Sequence, residues 1–269
     1  LPMLLVGLLA ACTRSHPMST FDTLGPVAKS QVDLFYIILW VGVVVFVLVT
    51  GAVIFAMVKY RRRPGQGDPE QIHGHTGLEI AWTVIPSVIL LAVAVPSVIT
   101  IFDNANSPVP PEDGGLAIVA TGHQWWLEFE YLDHGVVTAN ELHIPVGEPV
   151  NIKLESEDVI HSFWVPKIAG KVDMVPNNDN NIWMQADEAG EFFGQCAEFC
   201  GLSHALMRFK VVAEPRAEFD AWLLAQAQDA LVASDALAIE GEELFMSREA
   251  GCFACHTIQG PSRAKGTVG

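Results

Sequence analysis

Basic side chains are scarce in this chain. Its 269 residues hold fifteen Lys and Arg against thirty-one Asp and Glu, a formal net charge of −16, which excludes a nucleic-acid partner that requires a basic footprint. Charge of either sign is thin, with 17% of residues charged and 51% hydrophobic and a mean hydropathy of +0.33. That composition excludes a disordered chain and is too apolar for an ordinary soluble domain of this length. No initiator Met, internal repeat or low-complexity tract is present. Cysteine is sparse as well: five residues, falling as a singlet, Cys12, and two tight pairs, Cys196 with Cys200 and Cys252 with Cys255. An odd count so clustered excludes a spread disulfide framework and reads as cofactor ligation.

What is there begins with long apolar runs. Residues 1–11 end in Leu9-Ala10-Ala11 before Cys12, a small-residue cleavage pattern that resembles a lipobox. On that reading residues 1–11 are a signal-peptide remnant and Cys12 is a lipidated terminus opening an outer segment, 12–33; a Cys that merely lies in an apolar segment is the alternative. Leu34–Val58 and Ile80–Phe102 run 25 and 23 residues without a charge, long enough for two transmembrane helices. Pro86 and Pro96 are tolerable in a membrane bundle and mark a bend. The loop between them, 59–79, opens with Lys59-Tyr60-Arg61-Arg62-Arg63, and such a basic cluster places it in the cytoplasm. Everything after Phe102 is then expected on the outer face of a bacterial plasma membrane. From Asp103 onward nine basic residues stand against twenty-six acidic, a net −17, so the acidity lies outside and suits a basic partner.

Residues 103–232 change character. Short strand-prone runs, Trp125–Tyr131, Val150–Leu154, Ile182–Ala186 and Met207–Val212, alternate with Gly, Pro, Asn and Asp, which predicts an antiparallel sandwich or barrel. From Arg216 to about Val232 a helical pattern places Phe219, Trp222, Leu223, Ala227 and Leu231 on one face. In the last stretch, 233–269, a second helix over Glu240–Phe245 leads into Cys252.

The strongest chemical signal is Cys196-Ala-Glu-Phe-Cys200-Gly-Leu-Ser-His204-Ala-Leu-Met207, with His161 thirty-five residues earlier in Glu157-Asp158-Val159-Ile160-His161-Ser162-Phe163. Two thiols, two imidazoles and a thioether form a soft set that selects copper over magnesium, calcium or manganese. A blue-copper site takes one thiolate, so a second Cys in the loop supplies sulfur enough to bridge two copper ions. A Cys196–Cys200 disulfide, core roles for His161 and Met207, and a zinc site are the alternatives; zinc has no use for the thioether.

Gly122-His123-Gln124-Trp125-Trp126, His161-Ser162-Phe163 and the Cys196–Met207 run, with the two-span hairpin, resemble subunit II of haem-copper cytochrome c oxidase over roughly residues 20–230. The resemblance implies a cupredoxin-like domain carrying a CuA centre. In it Cys196 and Cys200 bridge two copper ions, His161 and His204 ligate one each, Met207 binds one and the Glu198 carbonyl the other. It further implies that the Glu198 carboxylate helps hold magnesium at the contact with subunit I, that Trp125 receives electrons from cytochrome c, and that Glu79 passes protons toward subunit I. A helix-start Glu favoured by the dipole is the plainer role for Glu79. One departure is Asn177-Asn178, where the family usually has Gly and often Arg.

Cys252-Phe-Ala-Cys255-His256 is a c-type haem attachment motif, two thioethers and an axial imidazole; a chance match or a zinc half-site is the rival. No Met or His follows His256, so an incomplete cytochrome c domain is expected, continuing past Gly269. The expected fold is thus a transmembrane hairpin, a mainly β cupredoxin-like domain and the start of a helical cytochrome c domain. The expected role is electron transfer from soluble cytochrome c or a tethered haem c through copper to subunit I, in a complex that includes subunit III, for oxygen reduction coupled to proton pumping. This chain makes no bond to oxygen itself. A nitric oxide reductase-type enzyme and a membrane-anchored copper chaperone are the alternatives.

Overall fold

The computed structural model describes residues 16–65, 67, 71, 73–260 and 264–266; Cys12 and the signal remnant lie outside them. The chain divides into two compact units, a helical one over Lys29–Asn104 and a second formed by the flanking segments.

The helical unit holds most of α1 (Pro26–Lys59) and α2 (Thr76–Ala105). Their most apolar windows have hydropathies of 2.9 and 2.5, and none of either window is buried against protein. Both helices outrun the charge-free stretches of the sequence, because absence of charge marks the bilayer core while the helix continues into water at each end. Pro26 begins α1 at a position where its missing N–H costs nothing, and Lys29 pairs with Asp33 one turn on at 3.3 Å. α2 opens on a reciprocal cap: His75 Nδ1 accepts from the Leu78 amide at 3.2 Å, and Glu79 Oε1 accepts from the His75 amide at 3.2 Å. The arrangement works like a capping box, with an imidazole in the cap position and the carboxylate one residue further along than usual. α2 runs unbroken through Pro86 and Pro96, with Thr83, Ser87 and Ser97 hydroxyls donating to carbonyls four residues back.

The second unit is built on ten strands: β1 (Leu116–His123), β2 (Trp126–Tyr131), β3 (Val136–Ala139), β4 (Glu141–Pro145), β5 (Val150–Ser156), β6 (His161–Trp164), β7 (Lys171–Met174), β8 (Asn180–Met184), β9 (Gly190–Gln195) and β10 (Arg208–Glu214). They form a five-stranded sheet in the order β3-β2-β1-β5-β8, a three-stranded sheet β4-β10-β9, and the pair β6-β7. Period-two burial sorts side chains to the core: Val150, Ile152 and Leu154 from β5, and Phe209, Val211 and Ala213 from β10. Phe129, Phe163 and Phe209 meet across the sheets, the last two with ring centroids 4.9 Å apart. The expected antiparallel sandwich needs one correction, since β1 pairs with β5 and β4 with β10 in parallel.

α3 (Arg216–Gln226) buries Phe219 and Leu223 on this core. It stops before the expected Val232, and Leu231 stands 97% exposed, because a short helix persists only where a face is packed. α4 (Ala236–Phe245) starts ahead of Glu240 because Asp235 caps it, accepting from Leu237 and Ala238 amides at 3.0 and 2.9 Å. An unanticipated leg precedes α1. The Leu24 amide donates to Lys167 O at 2.7 Å, its carbonyl accepts from Asp187 N at 2.8 Å, and Lys167 Nζ reaches Asp22 at 2.7 Å. Gly25 permits this approach, since a Cβ there would lie 2.4 Å from the Gln185 carbonyl oxygen. Asn177 takes a left-handed backbone (φ 61), which Asn tolerates next best to Gly, so the turn after β7 needs no glycine.

Candidate metal centre

β9 and β10 are antiparallel neighbours, Gln195 opposite Arg208, and residues 196–207 form the loop between them. Backbone bonds hold its base closed: Cys196 N donates to Met207 O at 3.0 Å, and Ala197 N to Ser162 O on β6 at 3.2 Å. The second bond draws the loop against the strand that begins at His161. Gly122 on β1 lets that imidazole come close to the strand, because a Cβ there would come within 2.8 Å of His161 Cδ2.

The donors converge. Cys196 Sγ lies 3.8 Å from Cys200 Sγ, and neither is in a disulfide. His161 Nδ1 is 3.9 Å from Cys196 Sγ, His204 Nδ1 3.6 Å from Cys200 Sγ, Met207 Sδ 3.7 Å from Cys200 Sγ, and the Glu198 carbonyl oxygen 3.2 Å from Cys196 Sγ. Metal–sulfur bonds of about 2.3 Å and metal–nitrogen bonds of about 2.0 Å set two donors of one ion roughly 3.5–4 Å apart. These gaps therefore fit edges of a coordination shell. Cys196, Cys200, Met207 and His161 are all buried, so the shell is dry on its inner side. The donor set is of the kind that copper prefers.

The thiols differ electrostatically. Burial raises Cys196, but hydrogen bonds from His161 and from backbone groups outweigh it and bring the thiol well below its ordinary range. Burial, and then the neighbouring Cys196, push Cys200 up. Burial opposes charge on His161, yet Cys196 and Asp158 hold its protonation range above the usual one. Asp158 is likewise opposed by burial and drawn down by His161 and two backbone amides. The lowering at Cys196 thus comes chiefly from His161 on β6 and from backbone groups of that strand and of the loop.

Trp125 sits in the turn ahead of β2 rather than in a strand. Half-buried, its indole Nε1 donates to the Cys200 carbonyl at 3.2 Å, and Gln124 Nε2 donates to the same oxygen at 2.6 Å. The Glu198 carboxylate faces Lys171 Nζ at 3.8 Å. Glu79, in the helical unit, is the capping residue of α2. Cys252 opens a 3₁₀ turn, Cys252–Ala254, with Cys255 as its C-cap and His256 next along the chain; both thiols are free and His256 is exposed. Sequence reading missed Gln124 and Asp158. Asp158, three residues before His161, carried the only signal that could have found it.

The same division into hairpin and β domain emerges from comparison with known proteins. Residues 16–99 match the family profile described as cytochrome C oxidase subunit II, transmembrane domain, and residues 136–214 its periplasmic domain. The cytochrome c oxidase subunit 2 of Alkalihalophilus pseudofirmus is 40% identical over 261 residues, 96% of this chain and 76% of that one. The quinol oxidase subunit 2 of Bacillus subtilis is 35% identical over 224 residues, 81% and 68% of the two chains. The crystallised periplasmic domain of subunit II of cytochrome oxidase from Bradyrhizobium japonicum is 31% identical, with a TM-score of 0.40 over 41% of this chain and 92% of that one. With both profiles falling on the observed units and 96% of the chain matched by a 40% identical relative, the chain belongs to the cytochrome c oxidase subunit II family and is a two-span subunit of a haem-copper terminal oxidase.

Proposed function

We propose that this chain is the electron-accepting subunit of a cytochrome c oxidase, holding a dinuclear CuA centre and delivering electrons to subunit I for oxygen reduction to water coupled to proton pumping. One observation carries the reading: two thiols lie side by side with two imidazole nitrogens against them and a weaker donor at each, Glu198 O beside Cys196 and Met207 Sδ beside Cys200. Six donors exceed a single tetrahedral shell, whereas two ions sharing both sulfurs are served with four donors each. Bound there, the copper pair supplies a one-electron relay. Cys196 and Cys200 would hold the pair through their sulfurs in a dry pocket, with His161 and His204 as its imidazole ligands, and Trp125 reaches from the surface to the Cys200 carbonyl as the route for an incoming electron.

Subunit II of a quinol oxidase is the rival that the 35% identical relative raises. A chain receiving electrons from a quinol has no need of this complete thiolate set, which favours the copper-bearing reading. Cys252 and Cys255 would tether haem c and His256 would ligate its iron, which would place a donor on the same polypeptide and raise its local concentration. The β domain and this segment face the outer side of the membrane, where Cys12 is lipidated. Glu198 offers its carboxylate to magnesium at the subunit I contact, and Glu79 passes protons from the cytoplasmic side, both as the family resemblance implies.

Metal analysis with electron paramagnetic resonance of the purified oxidase tests the core of this reading. Two coppers in this subunit and a seven-line mixed-valence pattern are expected; one copper, or zinc, overturns it.

A further inference from the structure

Asp158 is a carboxylate with three partners. Its Oδ1 lies 2.7 Å from His161 Nε2 and accepts from the Val159 amide at 2.6 Å; its Oδ2 accepts from the Gln124 amide at 2.7 Å. His161 turns its other nitrogen, Nδ1, toward Cys196 Sγ. As a ligand through Nδ1, the ring must carry its proton on Nε2, and a carboxylate set against Nε2 fixes that tautomer and the ring plane while increasing the basicity of the donor. The opposite oxygen grips the main chain of Gln124, the residue bonded to Trp125. Gln124 and Trp125 in turn both donate to the Cys200 carbonyl, at 2.6 and 3.2 Å. One side chain therefore braces a metal ligand from the far side of its ring and the backbone that carries the electron-receiving indole.

Resting on the dinuclear copper reading above, we infer that Asp158 is a positioning residue for electron transfer, which sets the reduction potential of the centre through His161 and holds Trp125 in register with Cys200 through Gln124. Its negative charge favours the more oxidised state of the metal, so its removal raises the midpoint potential. Its two arms are separable by substitution. In D158N the retained oxygen still accepts from His161, while the new amide nitrogen, a donor, faces the Gln124 N–H and cannot accept from it. In D158A both arms are lost.

The test is made on the intact oxidase complex with the wild type and both variants. Its readouts are the midpoint potential followed by the copper near-infrared band, the nitrogen hyperfine coupling of the histidine ligands, and copper retention against a chelator. D158A is expected to lose about 10–100-fold in copper affinity, the range for an outer-shell partner of a metal-bound His, and to alter one histidine coupling. D158N is expected to retain copper better than D158A and to keep that coupling, with a raised midpoint. Each tenfold preferential loss of affinity for the oxidised state reads as about 59 mV. D158N carrying both coppers at the wild-type potential overturns the inference, even if D158A fails to assemble, and leaves Asp158 the role of closing the turn at Val159. A wild-type complex without the seven-line pattern is a different failure, that of the copper reading itself, and removes this inference with it.

Discussion

At the scale of single residues, the candidate ligands were easy to single out because copper chemistry restricts such donors to a few side-chain types. Cys196, Cys200, His204 and Met207 fall in one twelve-residue run, and their donor atoms gather as that run suggests. The residues that orient them were not legible, since Asp, Gln and Gly are common everywhere and their use depends on contacts between distant strands. Asp158 and Gln124 lie 34 positions apart and share a 2.7 Å bond; Gly122 matters only because His161 comes to rest on it. Replacing Cys196 or Cys200 by Ser removes a bridging sulfur, and the near-infrared copper band is expected to vanish with the loss of both ions. Persistence of two coppers in either variant refutes the bridging roles. G122A sets a methyl 2.8 Å from the imidazole Cδ2, and overpacking of this kind costs about 1–3 kcal/mol. The ring is held at both nitrogens and cannot turn aside, so a lowered unfolding temperature is expected together with a perturbed His161 hyperfine coupling.

Among elements, burial periodicity revealed which faces point inward and left the neighbours of each strand open. Val150, Ile152 and Leu154 announce an inward face, yet nothing in them says that β5 lies parallel to β1. The N-terminal leg escaped notice because its hold on Lys167 and Asp187 is made largely by backbone groups, which every sequence possesses. α3 was foreseen with Trp222 on its apolar face, but the partner of that ring was not: Trp222 stacks on His143 with centroids 3.9 Å apart and planes 9° from parallel. Both nitrogens of that buried imidazole face carboxylates, Glu141 at 2.8 Å and Glu214 at 3.1 Å. W222A is expected to destabilise the β domain by about 2–3 kcal/mol, less than the roughly 3–5 kcal/mol of a fully buried large aromatic because the ring is half-buried; an unchanged unfolding temperature would contradict the anchor. The hydrogen bond from His143, assisted by Lys210 and opposed by burial, holds Glu141 below its ordinary carboxylate range. A depressed folded value means that the stabilisation is present at and above the unfolded carboxylate's range and is lost as pH falls through the folded one. E141Q is therefore expected to be less stable than wild type at neutral pH and to converge with it in acid. A difference that persists or grows in acid runs against this sign.

For the whole molecule, charge and hydropathy divide the chain as the structure does, because membrane insertion and long-range fields depend on summed composition and hardly on local geometry. The spans have no Asp, Glu, Lys or Arg across their central stretches, while the segment from Asp103 carries a net −17. A field of that size reaches an approaching basic protein before any contact forms, and its reach is set by the ionic atmosphere: about 30 Å at 0.01 M salt and about 8 Å at 0.15 M. Steered encounters between opposite charges gain roughly 10- to 1,000-fold in rate over unsteered ones. Turnover of the purified oxidase with a soluble basic cytochrome c is accordingly expected to show kcat/KM falling several-fold across that salt range, with kcat at saturating donor little changed, because the field acts on arrival and not on the copper ligands. A donor of acidic net charge should show the opposite trend. If both donors respond equally or not at all, the acidic surface has no part in recruiting the donor, and a haem held at Cys252, Cys255 and His256 becomes the principal source of electrons.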